Sequence, residues 1–469
     1  MKPLLVALAL FFGLFVSANA AEKPNIIFIM LDDMGPADLG SYGSKAIQTP
    51  NLDRLASEGM RFTQAYAGCS VCAPTRSTLM TGKHMGRTSV RGNSGGIPLL
   101  DSDVTIAEVL KKAGYATGGF GKWGLGDLDT EGVPEKQGFD RFFGYYQQVH
   151  AHYFYPEYLI DSGKKVPLPN AGFYKRKQAE GGVSTRNPNG GKDYVFSAYP
   201  IFDEMKKFIR ENKDRPFFCY APWTIPHARY EIPDNDPAWL LYKDKPWMAK
   251  EKGHAAYCTL ADRMVGDTLA LLKELDLDKN TVIFFCSDNG ATDASSNLNS
   301  SGGLRGEKGQ MYEGGIRTPF IVRWPARIKP GSTSDAPIYL PDVFPTLAEL
   351  ANAKSHMPKD VDGVSLVPEV LGKEKLPRDR HLYWEWNGAH FAPYEPKYQA
   401  VRSGNWKIVR HELNAPWELY DLSNDEFETT NLAAENPKVV AALSKWIEKN
   451  REPHRPQIEP VKPPGQKWR

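Results

Sequence analysis

An α/β fold with a mainly parallel central sheet is what this 469-residue sequence predicts, on two observations. Apolar runs end abruptly in polar residues with useful chemistry, as buried parallel strands do when they carry side chains to the carboxyl edge of a sheet. Between those runs lie segments of helical periodicity, and alternation of the two makes a sandwich with helices flanking one sheet. The first strand is PNIIFIMLDD, Pro24 to Asp33; RPFFCYAPW (215–223), TVIFFCSDNG (281–290) and TPFIVRWP (318–325) read the same way. In TPNLDRLASEG (49–59), Thr49 is the N-cap, Pro50 takes the first helical position and Gly59 stops the helix. DVTIAEVLKKAGY (103–115) sets Ile106, Val109 and Leu110 on one face and ends at Gly114. TLADRMVGDTLALLKEL (259–275) does the same with Met264, Val265, Leu269 and Leu272.

From about Arg378 the texture changes. HLYWEWNGAHF, KYQAVRSGNWKIVRH and WELYDLSNDE are short, aromatic and β-rich, and a helical stretch follows near Pro437 to Lys449. These predict a smaller α+β subdomain with an antiparallel sheet over residues 378–450, after a main domain at 21–377. Residues 451–469 are proline-rich and read as an extended tail.

Residues 1–20 read as a secretory signal peptide: Lys2 is a short basic region, Leu4 to Val16 an apolar core, and Ala18-Asn19-Ala20 a small-residue cleavage site. That core is shorter than the roughly 20 residues that span a bilayer. The expectation is an exported chain, periplasmic or secreted, with no membrane span. Lys+Arg of 58 against Asp+Glu of 56 gives no strong field, which argues against nucleic acid or an anionic membrane as partner. Five cysteines (Cys69, Cys72, Cys219, Cys258, Cys286) are an odd number, so at least one stays outside any intramolecular disulfide.

Two sets of residues carry chemistry. Asp32 and Asp33 end one strand and Asp288 and Asn289 end another, and strand ends of an open α/β sheet meet at one edge. Three carboxylates and an amide, with no accompanying histidine or thiol, suit a hard divalent cation, calcium or magnesium. The second set is cationic or able to be: Arg76, Lys122 in GFGKWGLG, His227 in APWTIPHAR and Lys308 in LRGEKGQMYEGG. A hard cation with several fixed positive side chains describes a pocket for an oxygen-rich anion, phosphate or sulfate.

Cys72-Ala73-Pro74-Thr75-Arg76, continued by Ser77-Thr78-Leu79-Met80-Thr81-Gly82-Lys83, resembles the Cys-x-Pro-x-Arg signature of the type I sulfatases, of the alkaline phosphatase superfamily. LDDMG (31–35), TPNLDRLASEGMRFTQAYA (49–67), GKWGLG (121–126), PHA (226–228), SDNGA (287–291) and RGEKGQMYEGGIRTPFIVRWP (305–325) resemble that family's further blocks, in its order. The resemblance implies an alkaline-phosphatase-like sandwich and hydrolysis of sulfate esters. It also implies that a maturation enzyme oxidises Cys72 to formylglycine (3-oxoalanine), whose hydrate attacks sulfur with one hydroxyl and expels sulfate with the other. By the same resemblance Asp32, Asp33, Asp288 and Asn289, with residue 72, bind one calcium ion. Arg76 and Lys122 stabilise the modified side chain, Lys308 and His227 grip the sulfate, and His227 protonates the leaving oxygen.

One position departs from the pattern. Many sulfatases have histidine two residues after the lysine of this block, where this sequence has Gly124. The expectation is that His152, or failing it His150, both in GYYQQVHAHYFYPEYL, supplies the missing imidazole. The expected substrate is a sulfated carbohydrate, with simple aryl sulfates also accepted. Trp123, Tyr153, Phe154, Tyr155, Trp223, Trp384 and Trp386 are candidates for stacking on sugar rings, and the run Phe173 to Lys177 for guiding a polyanion. The alternatives are a phosphoester or phosphonate hydrolase of the same superfamily, a binding-only homologue, and a thiol oxidoreductase using Cys69 and Cys72. The last leaves Pro74 and Arg76 without a role.

Overall fold

The computed structural model describes residues 23–93, 97–174, 194–292, 297–388 and 395–454. The expected signal peptide, the cations Lys175 to Lys177 and the tail from residue 455 lie outside the described residues. In chain order the strands of the main domain are β1 (Asn25–Asp32), β2 (Met60–Phe62), β3 (Ala65–Tyr66), β4 (Ala116–Lys122), β5 (Arg141–Tyr145) and β6 (Tyr158–Asp161). They continue with β7 (Lys164–Pro167), β8 (Phe217–Pro226), β9 (Thr281–Ser287), β10 (Phe320–Arg323), β11 (Ser332–Ser334) and β12 (Ile338–Tyr339). Ten of them form one sheet in the order β11-β2-β10-β9-β1-β8-β4-β5-β6-β7. The run β9-β1-β8-β4-β5 is parallel throughout, so the carboxyl ends of β9, β1, β8 and β4 share one edge.

Side-chain alternation along β1 splits the interior into two layers. Ile27, Ile29 and Leu31 face the helices Pro50–Ser57, Ala198–Glu211 and Ala249–Glu274, represented by Leu52, Met205 and Leu269. Ile26, Phe28 and Met30 face Ile106–Lys112 and Val343–Leu350, represented by Val109, Leu110, Phe344 and Leu347. A fully buried Leu or Ile contributes about 1.5–3 kcal/mol, and all six β1 positions have essentially no exposure.

Three local readings change in the folded protein. Thr49 precedes its helix, but its hydroxyl accepts from the Gly40 amide at 2.9 Å instead of capping the helix. TPFIVRWP forms β10, which runs antiparallel to β9, so its carboxyl end points away from the active edge. The glycine-rich ATGGFGK, not expected as a strand, is the buried β4. Glycine is required there by close approach: Gly121 has φ 141°, and a Cβ on it would lie 2.1 Å from the Pro222 carbonyl oxygen. The cap of Ile106–Lys112 is a full capping box, Thr105 with Glu108.

Beyond the main sheet, β13 (His381–Trp386), β14 (Tyr398–Ser403), β15 (Trp406–Arg410) and β16 (Glu418–Asp421) make an antiparallel sheet covered by the helix Pro437–Asn450 through Leu443 and Ile447. This sheet clamps the chain that leads into Cys72. Trp384 Nε1 donates to the Ala67 carbonyl at 2.7 Å, and the Cys69 thiol reaches the Glu385 carbonyl at 3.5 Å. Lys407 reaches across to Glu313 at 2.8 Å, and Glu313 also accepts from Tyr66 at 2.7 Å and Arg317 at 2.6 Å. The loop carrying Lys308 is thereby tied to both parts of the protein.

Candidate active site

Four adjacent strand ends build the site. Asp32 closes β1, and Asp33 follows in the left-handed region at φ 76°. Asp288 and Asn289 follow β9, Lys122 closes β4, and His227 follows β8. The helix Cys72–Thr81 lies beside this edge with Cys72 as its first residue and Arg76 one turn on. It is buried on every face, so it has no polar stripe by which a sequence would disclose it. Its amino end faces the site, where unsatisfied amides and the helix dipole favour negative charge.

Inside the site three carboxylates meet three permanent cations. Lys122 Nζ lies 2.6 Å from Asp32 Oδ2, and Arg76 Nη2 lies 2.8 Å from Asp288 Oδ2 and 3.4 Å from Asp32 Oδ2. Arg76 Nη1 donates to the Lys122 carbonyl at 2.7 Å, and Lys308 Nζ is hydrogen-bonded to Asp33 Oδ1. Asn289 Nδ2 donates to Asp33 Oδ1 at 2.9 Å. His227 is partly buried, with Nε2 3.5 Å from Asp33 Oδ2. All eight residues named from the sequence as metal ligands, cations or proton donor are thus brought together around Cys72.

Burial would raise the carboxyl of Asp32, but Lys122, His227, Arg76 and Lys308 together hold it well below the usual carboxylate range. Asp33 is likewise lowered, against its burial, chiefly by Lys308 and His227. Asp288 is pushed up to about 7, first by burial and then by Asp32, with Arg76 pulling the other way. Burial lowers the His227 imidazole, with Asp33 pulling the other way. The Cys72 thiol is raised by burial, with Lys122 and Lys308 opposing, which makes an unmodified thiol a poor nucleophile here.

The donor set fits a hard cation. One oxygen from each of Asp32, Asp33 and Asp288 lies within 4.8 Å of the others. Asp32 Oδ1 and Asn289 Oδ1 are buried with no hydrogen-bond partner in the protein, the state of oxygens that a cation satisfies. Asp32, Cys72 and His227 also bring ligand atoms within 4.8 Å of one another.

Of the two histidines expected to fill the gap at Gly124, His152 lies beside the site, among the charges of Asp32, Lys122 and Lys308, and the atoms nearest a Cβ on Gly124 belong to Gln148 and Arg76. His152 stacks on His227, ring centroids 4.3 Å apart at 12°, with its Nε2 buried and without a partner. His150 packs between Tyr145 and Tyr158, at 5.2 and 4.6 Å. The space over Gly124 is taken by Gln148, which the sequence reading did not single out. Gln148 Nε2 lies 3.1 Å from Cys72 Sγ and 3.1 Å from Asn93 Oδ1. The only sequence signal for it was indirect: a missing side chain at 124 leaves a volume that something must fill. Of the aromatics expected at a sugar cleft, Trp123, Phe154, Tyr155, Trp223 and Trp384 are core residues. Tyr153 is partly exposed, with the Arg229 guanidinium 4.8 Å above its ring. All five cysteines are buried and free of disulfides. No described helix is long and apolar enough to cross a membrane.

A family model described as Sulfatase matches residues 24–353, and one described as N-sulphoglucosamine sulphohydrolase, C-terminal, matches residues 306–453. The chain is 34% identical to human arylsulfatase A, covering 94% of this chain and 89% of that protein. It is 31% identical to N-acetylgalactosamine-6-O-sulfatase of Bacteroides thetaiotaomicron, covering 91% and 93%. The crystal structure of Ps i-CgsB in complex with k-i-k-neocarrahexaose superposes with a TM-score of 0.74 at 27% identity, covering 92% of this chain and 94% of that one.

Proposed function

The chain belongs to the sulfatase family and is a sulfuric ester hydrolase, and on that premise we propose that it desulfates a carbohydrate after export from the cell. The proposal includes residue 72 in the formylglycine form made by a maturation enzyme, and one calcium ion held by Asp32, Asp33, Asp288, Asn289 and residue 72. The observation that carries it is the convergence of those oxygens with Arg76, Lys122, Lys308 and His227 on the buried amino end of one helix. The relatives named for N-acetylgalactosamine 6-O-sulfate and crystallised with neocarrahexaose support a sulfated sugar as substrate.

When present, formylglycine supplies a hydrated oxygen nucleophile and a second hydroxyl that releases sulfate, and calcium supplies Lewis-acid charge. The chain's own residues do the rest. Arg76 is pinned by Asp288 and the Lys122 carbonyl, so its guanidinium is pre-oriented and need not reorganise as charge builds. Lys122 and Lys308 add two further fixed cations around the transferring sulfuryl group. His227 sits at the solvent side of the site, where a ring nitrogen can give its proton to the leaving sugar oxygen; the approaching anionic ester favours the protonated ring. The buried walls exclude water from a reaction in which hydroxide would have to approach an anion.

The test is release of sulfate, against release of phosphate from matched esters, over a panel of sulfated mono- and oligosaccharides, with mass spectrometry of the peptide carrying residue 72. Sulfate release together with a residue-72 aldehyde is expected. An unmodified cysteine in active protein, or faster phosphate release, would overturn the proposal.

A further inference from the structure

The amide of Gln148 is only 1% exposed and has one possible orientation. The backbone N–H of Ala73 can only donate, and it donates to Asn93 Oδ1 at 3.1 Å. That contact fixes which end of Asn93 faces Gln148, and an acceptor there requires the NH2 end of Gln148 at 3.1 Å. The same nitrogen lies 3.1 Å from Cys72 Sγ, so the Gln148 amide presents an N–H to residue 72. Its Oε1 lies over Gly124, where a Cβ would approach it to 2.6 Å and Arg76 Cδ to 3.5 Å. Gly124 is in the left-handed region at φ 77°, and its amide donates to the Tyr146 carbonyl at 2.9 Å, which brings the turn after β4 against the segment holding Gln148.

We infer that Gln148 is a catalytic residue whose Nε2–H holds the attacking oxygen of residue 72 by a hydrogen bond and aims it at sulfur, and that Gly124 is small because this amide occupies its side-chain volume. An amide donates without taking up a proton, so Gln148 orients the nucleophile and the proton leaves by another group. The inference rests on the reading of residue 72 as nucleophile.

A Cys72→Ser protein tests it without the modification. The serine oxygen attacks sulfur, the ester S–O bond breaks, the alcohol leaves with the serine proton, and the sulfated serine persists for want of a second hydroxyl to expel sulfate. In calcium-containing buffer with p-nitrophenyl sulfate, the gain of one SO3 group is followed by intact-mass spectrometry. Gln148→Met in this background keeps the bulk and removes the donor; sulfation about tenfold slower, with an unchanged unfolding temperature, is expected. Gln148→Glu, which keeps the shape and replaces the donor by an acceptor, is expected to be at least as slow and serves should the methionine protein not fold. Sulfation at the parent rate in either folded variant overturns the role of Gln148. Failure of the Cys72→Ser parent itself to gain sulfate overturns residue 72 as nucleophile, and this inference with it.

Discussion

Replacing Arg76 by methionine removes the cation between Asp32 and Asp288 and keeps most of the side chain's bulk. The guanidinium is fully buried, 2.8 Å from Asp288 Oδ2, so its loss strands a carboxylate that burial and Asp32 already push up to about 7. Removing one partner of a buried ion pair costs about 3–5 kcal/mol. Part of that is recovered if Asp288 takes up a proton, and the recovery depends on pH in a definite direction. A carboxyl whose folded pKa lies above its unfolded value binds more protons in the folded state, so its stabilising contribution is lost as pH rises. Without Arg76 the Asp288 pKa rises further, and the gap between variant and parent widens from pH 6 to pH 8 by up to about 1.4 kcal/mol per unit. The assay is urea unfolding in the presence of a calcium chelator, for the parent, Arg76→Met, Asp288→Asn and the double variant. The expected coupling is about 2 kcal/mol, the double variant being more stable than the sum of single losses implies. Additive losses, or a gap that stays constant from pH 6 to pH 8, would refute the reasoning.

Three further outcomes follow from the same geometry. His227→Ala should lower turnover of a sugar sulfate by about 10²–10⁴-fold and turnover of p-nitrophenyl sulfate much less, since a good leaving group needs no proton; equal losses on both esters would remove His227 from the proton-donor role. Calcium at a hundredfold excess over its dissociation constant should stabilise the protein by about 2.7 kcal/mol, and Asp32→Asn or Asp33→Asn should shrink that shift; a calcium-insensitive unfolding temperature in the parent would sink the metal assignment. His150 is held neutral, its pKa lowered from 6.5 to about 4 by burial and then by Lys165. The unfolded chain therefore binds the extra proton between pH 6.5 and pH 4, and stability falls on acidification across that window by up to about 2 kcal/mol after discounting for partial exposure; His150→Phe should flatten the loss, read by thermal unfolding across the window.

The chemistry of the site was legible in the sequence wherever a strand end announces itself. Asp32-Asp33 and Asp288-Asn289 each follow a run of β-formers, and parallel neighbours at one sheet edge leave little freedom over where such residues meet. Short-range periodicity likewise announced the helix Ile106–Lys112, whose Ile106, Val109 and Leu110 are buried together as their spacing predicts. β4 was hidden because its glycines are chosen by neighbours: a Cβ on Gly119 would lie 2.4 Å from a Phe142 ring carbon, a contact absent from any local window. The direction of β10 is settled by pairing with β9, more than thirty residues away in sequence. So too with the aromatics, whose composition is the same whether they line a cleft or, like Trp123, fill the core.

The sharpest division falls at residue 124. By itself the sequence determined that a side chain is missing there, because a glycine is a glycine in any fold. Only the tertiary structure decided what takes its place, setting His152 against His227 and Gln148 over the glycine. Occupancy of a small buried volume is a packing property: it depends on which of several nearby side chains reaches it, and here the Ala73 amide, through Asn93, fixes the Gln148 amide with its NH2 end toward residue 72 and its oxygen over the glycine.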